Sequence, residues 1–133
     1  YRMDDHVGVM QLFPRIRQEW AGALLADKDL NAVVLTTFGS GNGPTDEPFL
    51  NVLREARQRG IVLVNTTQCI GGRVEQGRYQ TSKAFVEMGV VSGHDMTMEA
   101  AVTKLMFLFG QDLGEKEVMR RMGGSICGEV LVA

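Results

Sequence analysis

The sequence predicts an α/β domain of three layers, with helices on both sides of a small parallel sheet of about four strands. Three observations carry that expectation. Short apolar, β-branched runs alternate with longer segments of helical periodicity. The run Val33-Val34-Leu35-Thr36-Thr37-Phe38 ends abruptly in Gly39-Ser40-Gly41-Asn42-Gly43-Pro44, as a strand does when it opens into a loop that needs unusual backbone angles. The chain's 133 residues, 44% hydrophobic and 23% charged, suit one globular domain. A chain of this length buries roughly two-thirds of its unfolded surface and needs no disulfide or metal staple.

His6 to Phe13 reads as the first strand, stopped by Pro14, after which Ile16, Trp20 and Leu24 recur at helical spacing. The second strand runs from Ala32 to Phe38. Thr45 is placed to cap the next helix, with Asp46 and Glu47 in its first turn, where carboxylates meet the positive end of the helix dipole. Phe49, Leu53 and Ala56 line one face of that helix until Arg59-Gly60 closes it. Ile61 to Asn65 form the third strand. From Thr66 to Arg78 the chain is polar and glycine-rich, the longest loop, before a helical pattern resumes through Ala84, Phe85 and Met88. Val90 to Ser92 is a weak fourth strand ended by Gly93. Thr97 and Glu99 open a helix that keeps Met98, Val102, Leu105 and Phe109 on one apolar face, and a last short helix spans Glu115 to Met122. Right-handed crossovers then give a small doubly wound sheet, at whose carboxyl edge the loops at 39–45, 66–79 and 93–97 converge.

The formal net charge of −2 and the absence of a basic run leave no electrostatic footprint for nucleic acid or an anionic membrane. No segment is long and apolar enough to span a bilayer, and the first residues lack a secretory pattern, so a soluble, cytoplasmic product is expected. An opening Tyr1 in place of Met points to a piece of something longer. Cys69 and Cys127 stand far apart with no CxxC pair, as expected of two reduced thiols.

The glycine loop does not make a dinucleotide fingerprint, because Pro44 occupies the place of the third glycine and Asp46 and Glu47 would repel a pyrophosphate. Neither His6 nor His94 stands near a serine or cysteine in a nucleophile motif, and both read as structural. Asp95 and Glu99 are better explained by a helix start at Thr97 than as an acid and base pair. The threonine pairs Thr36-Thr37 and Thr66-Thr67 fit strand ends, and the methionines fit core filling. Asn42 carries two donors and an acceptor suited to an amino acid's amide or ammonium group, with a left-handed turn residue as the plainer alternative. Tyr79 closes the longest loop, where a phenol either bonds a ligand or packs.

Phe38-Gly39-Ser40-Gly41-Asn42-Gly43-Pro44, Val64-Asn65-Thr66-Thr67-Gln68-Cys69, Gly93-His94-Asp95-Met96-Thr97 with Glu99-Ala100-Ala101, and Cys127-Gly128-Glu129 together resemble the C-terminal domain of type I, cytosolic L-asparaginases. The resemblance runs through nearly the whole chain in one unbroken order. It implies an enzyme that hydrolyses L-asparagine to aspartate and ammonia through a threonine acyl-enzyme, without cofactor or metal. The nucleophile and its partners would belong to an N-terminal domain whose motifs are not found here, so no catalytic residue is expected in this chain, which forms a single domain over 1–133. The resemblance further implies that Asn42 and Tyr79 reach the substrate in a neighbouring subunit's site, within a homodimer or homotetramer. It also implies a regulatory asparagine site for which Thr67, Gln68 and Cys69 are kept, whereas Thr36 stands where an arginine would grip the effector's carboxylate. Two other readings stay open: a free-standing effector-binding or oligomerisation module, and an asparaginase-like subunit of a tRNA-dependent amidotransferase.

Overall fold

In a computed structural model, residues 2–38, 46–68, 74 and 80–123 are described. Among them are four strands, β1 (Val7–Gln11), β2 (Ala32–Thr37), β3 (Val62–Thr67) and β4 (Val91–Ser92). Three helices join them in turn: α1 (Gln18–Leu25), α2 (Glu47–Gln58) and α3 (Gln80–Met88). Two more follow, α4 (Met98–Gly110) and α5 (Glu115–Met122). The strands form one parallel sheet in the order β1-β2-β3-β4, with Val9 opposite Val34, Leu35 opposite Asn65 and Thr37 opposite Thr67.

The pleat explains why β2 and β3 read as unbroken apolar runs, because each is buried on both faces. Val33, Leu35 and Leu63 point to a core shared with Ala21 and Leu25 of α1, Phe49, Leu53 and Ala56 of α2, and Phe85 of α3. Ala32, Val34, Val62 and Val64 point the other way, to Ala101, Leu105 and Leu108 of α4 and Val118 and Met122 of α5. Each fully buried leucine or phenylalanine here contributes about 1.5–3 kcal/mol relative to an exposed one. The three layers and the parallel sheet agree with the sequence reading, including Gly60, whose φ of 92° ends α2.

Several details differ. The sheet is not doubly wound: its order never reverses, so all three crossovers place their helices on one face, and the second face is covered by α4 and α5 after the last strand. α1 begins only at Gln18, after Pro14 and the left-handed Arg15 with φ 66°. Ile16 therefore precedes the helix, its buried face is Ala21 and Leu25, and Trp20 is 62% exposed. The N-cap of α2 is Asp46, one residue after the expected Thr45, and Pro48 in the first turn gives up an N–H that has no partner in the helix anyway. β3 continues past the expected Asn65 through Thr66 and Thr67, in keeping with their fit to a strand end and against a loop that starts at Thr66. In α4, Ala101, Lys104, Leu105 and Leu108 are buried while Met98, Val102 and Phe109 are half-buried. That helix touches both the sheet and α5, so its buried stripe is wider than one face.

Candidate functional site

The carboxyl ends of β2 and β3 are held by a polar cluster that neither strand could form alone. Thr37, fully buried, places its hydroxyl 2.6 Å from Asn65 Oδ1 and 2.9 Å from the Thr66 carbonyl oxygen, so one proton is shared between two acceptors. The Thr66 hydroxyl donates to the Leu35 carbonyl at 3.3 Å. Gln68 then staples three chain segments. Its backbone N–H donates to the Thr37 carbonyl at 2.6 Å, and its side-chain amide donates to the carbonyls of Leu12 at 2.7 Å and Thr36 at 2.8 Å. The Gln68 Oε1 accepts from the Gln11 amide at 3.3 Å.

The fourth strand joins through Gly93, whose N–H donates to the Asn65 carbonyl at 2.8 Å. A Cβ there would lie 2.7 Å from that same carbonyl oxygen and 2.9 Å from the Thr66 methyl, so only glycine fits. His94 follows in the left-handed region at φ 53°, donates its N–H to Ser92 Oγ at 3.2 Å and accepts from the Val74 N–H at 2.9 Å. It is a turn residue, as the sequence suggested. Thr97 caps α4 by accepting from the Ala100 N–H at 3.1 Å, which accounts for the Asp95 to Glu99 run without acid–base chemistry.

Residues 39–45 leave from the end of β2 and residues 69–73 and 75–79 follow β3, and the two strands end in register at Thr37 and Thr67. Asn42, Tyr79 and Cys69 themselves lie outside the described residues, as do Thr45, Gly39 to Pro44 and Cys127. Of the residues expected to meet an effector, Thr67 is half-buried at the end of β3, and Gln68 already directs both side-chain hydrogens at backbone carbonyls.

The cluster does not build a nucleophile. Thr37 and Thr66 aim their protons at carbonyl and amide oxygens, not at a base, and Lys104 lies in α4 with its ammonium 3.2 Å from the Met122 carbonyl at the end of α5. What this edge can do is hold two loop origins at a fixed spacing. The clearest electrostatic shifts lie elsewhere. At the amino edge, the backbone N–H of His6 holds the Asp4 carboxyl below its usual range, and the Asp4 carboxylate in turn raises the imidazole of His6. Among the described residues, Asp4, Asp5 and His6 are also the one group whose possible metal-donor atoms lie within 4.8 Å of one another. Asp5 is solvated, Asp4 is half-buried, and Asp4 and His6 already bond each other. Among the described residues no helix is long and apolar enough to cross a membrane.

The sequence profile of the glutaminase/asparaginase C-terminal domain matches residues 6–122. The chain belongs to that family. It is 39% identical to L-asparaginase 1 of Escherichia coli K12 over 93% of its own length and 36% of that protein's. It is 45% identical to the human 60 kDa lysophospholipase over 82% of the chain and 19% of that protein. One component of the glutamyl-tRNA(Gln) amidotransferase from Methanobrevibacter smithii is 34% identical over 96% of the chain and 28% of that protein. Among solved structures, L-asparaginase I from Vibrio cholerae superimposes with a TM-score of 0.91 at 39% identity, covering 98% of the chain and 39% of the other. The chain thus spans about a third of the length of its asparaginase relatives (36% of the Escherichia coli protein).

Proposed function

We propose that this chain is the C-terminal domain of an L-asparaginase. The observation that carries the reading is its near-complete match to the C-terminal third of asparaginases in sequence and fold. The whole enzyme would hydrolyse L-asparagine in the cytoplasm. A threonine of a preceding domain attacks the side-chain amide carbon, the amide nitrogen departs as ammonia, and water then releases aspartate from the ester. The nucleophile lies outside these 133 residues, and this domain's part is to present Asn42 and Tyr79 to the substrate of a neighbouring subunit in a homo-oligomer. The polar cluster at Thr37, Asn65 and Gln68 supports that role, because it fixes the strand ends from which both loops depart. For a regulatory effector, Thr67, Gln68 and Cys69 are the contacts that the family resemblance offers.

In the full-length gene product, Asn42→Ala should lower kcat/KM for asparagine by about 10²-fold, the scale of one lost positioning contact. Mixing it with a variant lacking the upstream nucleophile should restore activity through hybrid oligomers. Full activity in Asn42→Ala, or no rescue in demonstrably mixed oligomers, would refute the shared site. The relation to the glutamyl-tRNA(Gln) amidotransferase supports a second reading. Ammonia release that requires charged tRNA, and fails with free asparagine, would favour it.

A further inference from the structure

We infer that residues 2–6 are a fixed strap, keyed by Gly110, that sets how the preceding part of the protein is oriented on this domain. The inference rests on the proposed function in one respect, that a catalytic domain precedes these residues. A flexible connection would need no built contacts, whereas this one is held at both ends. Gly110, buried at the end of α4, lies directly under the strap. A Cβ there would stand 2.6 Å from the Arg2 carbonyl carbon, closer still to its oxygen, and 3.0 Å from the Met3 nitrogen. These are backbone atoms, so no side-chain rotation could relieve the overlap.

Around that contact the strap is bonded to the end of α4. The Gln111 amide donates to the Arg2 carbonyl at 3.0 Å and to the Phe107 carbonyl at 3.1 Å, Arg2 pairs with Asp112, and the Asp4 N–H donates to the Met106 carbonyl at 2.9 Å. Further on, the strap is bonded to the start of β2. Asp4 accepts from the His6 N–H at 2.8 Å and from the Asn31 amide at 3.1 Å, and the His6 carbonyl accepts from the Asn31 N–H at 2.8 Å. The chain therefore enters the domain along one line across the second layer, already oriented before β1 begins. Because Asn42 must meet a site built by another part of the enzyme, that orientation makes Gly110 and Asp4 positioning residues.

The test compares full-length wild type with Gly110→Ala, Asp4→Ala and, as a control, Gly22→Ala. A Cβ at Gly22 meets only Val52, at 4.0 Å. In Gly110→Ala, hydrogen exchange at the Asp4 amide should speed up by about tenfold or more while the amides of β2 keep their protection. Small-angle scattering should broaden, and kcat/KM for asparagine should fall by about tenfold. Asp4→Ala, in an exposed segment, should reproduce these changes if Gly110→Ala does not fold, and Gly22→Ala should change none of them. Unaltered exchange and scattering in both strap variants would overturn the inference, as would a released strap with unaltered scattering. A wild-type protein inactive on asparagine would refute the proposed function, while exchange and scattering would still judge the strap.

Discussion

The hydroxyl of Thr37 is the smallest group on which the carboxyl edge depends, and replacing it with a methyl tests the edge directly. Thr37→Val keeps the volume of a fully buried side chain but leaves the Asn65 amide oxygen and the Thr66 carbonyl without their shared donor. Losing two buried hydrogen bonds costs about 1–3 kcal/mol together. Thr37→Ser keeps the donor and loses one buried methyl, roughly 1 kcal/mol including the small void. Valine should therefore be the more harmful, although it is the better fit by shape. With a urea slope of about 2 kcal/mol per molar for a domain of this size, a 2 kcal/mol loss lowers the midpoint by about 1 M. Far-UV circular dichroism of the 133-residue chain in urea reads that shift. In the full-length protein the same variant should depress asparagine turnover, because residues 39–45 depart from the strand end that Thr37 secures. If Thr37→Val matches or exceeds wild-type stability while Thr37→Ser is the weaker, packing holds this edge and the hydrogen bond does not.

Gly93→Ala should destabilise by about 2–4 kcal/mol, since the added Cβ pushes on the Asn65 carbonyl and strains the bond between β3 and β4; an unchanged urea midpoint would contradict it. The strap should be tightest between the ordinary pKa values of Asp4 and His6, 3.8 and 6.5. The contribution of Asp4, whose pKa is lowered, is lost as pH falls through that lowered value, and the contribution of His6, whose pKa is raised, is lost as pH rises through the raised one. Asp5 and Asp29 add to the raising of His6, and an NMR titration placing its imidazole at or below 6.5 would refute the geometry. Glu117, bonded by Arg120 and Arg121, should titrate near pH 2, yet Glu117→Gln should leave the urea midpoint at neutral pH unmoved because the cluster is exposed to solvent.

Much of the fold was legible because the sheet is buried on both faces, which turns β2 and β3 into apolar runs that no surface strand would carry. The end of β3 was the ambiguous place. Thr66 and Thr67 suit a strand end by their β-branching and a loop by their polarity, and strand pairing and bonds such as that from Thr66 to the Leu35 carbonyl hold them inside the sheet. α1 was recognised but turned to the wrong side, since the left-handed Arg15 shifts the helix start and changes which residues face inward. The role of Gln68 was invisible because its acceptors, Leu12 and Thr36, are remote in sequence and are backbone atoms. Gly110 left a faint signal: a glycine in an apolar helix costs about 1 kcal/mol against alanine, which asks for a close neighbour without saying which.

The strand order carries a consequence for any ligand at this edge. In open α/β sheets a crevice forms where adjacent connections depart to opposite faces. Across β1, β2 and β3 no such divergence exists, because α1, α2 and α3 all lie on one side of strands that follow each other in sequence; it arises only at the rim of the sheet, where α4 follows β4 to the opposite face. Among the described residues the end of β2 is a shelf, and a shelf retains a small molecule only while another body roofs it. In the asparaginase proposed above, where that body is a neighbouring subunit, turnover would then depend on protein concentration as well as on substrate. Dilution that parts shelf from roof would silence the enzyme while leaving every domain folded, and activity would return on concentration without any refolding step.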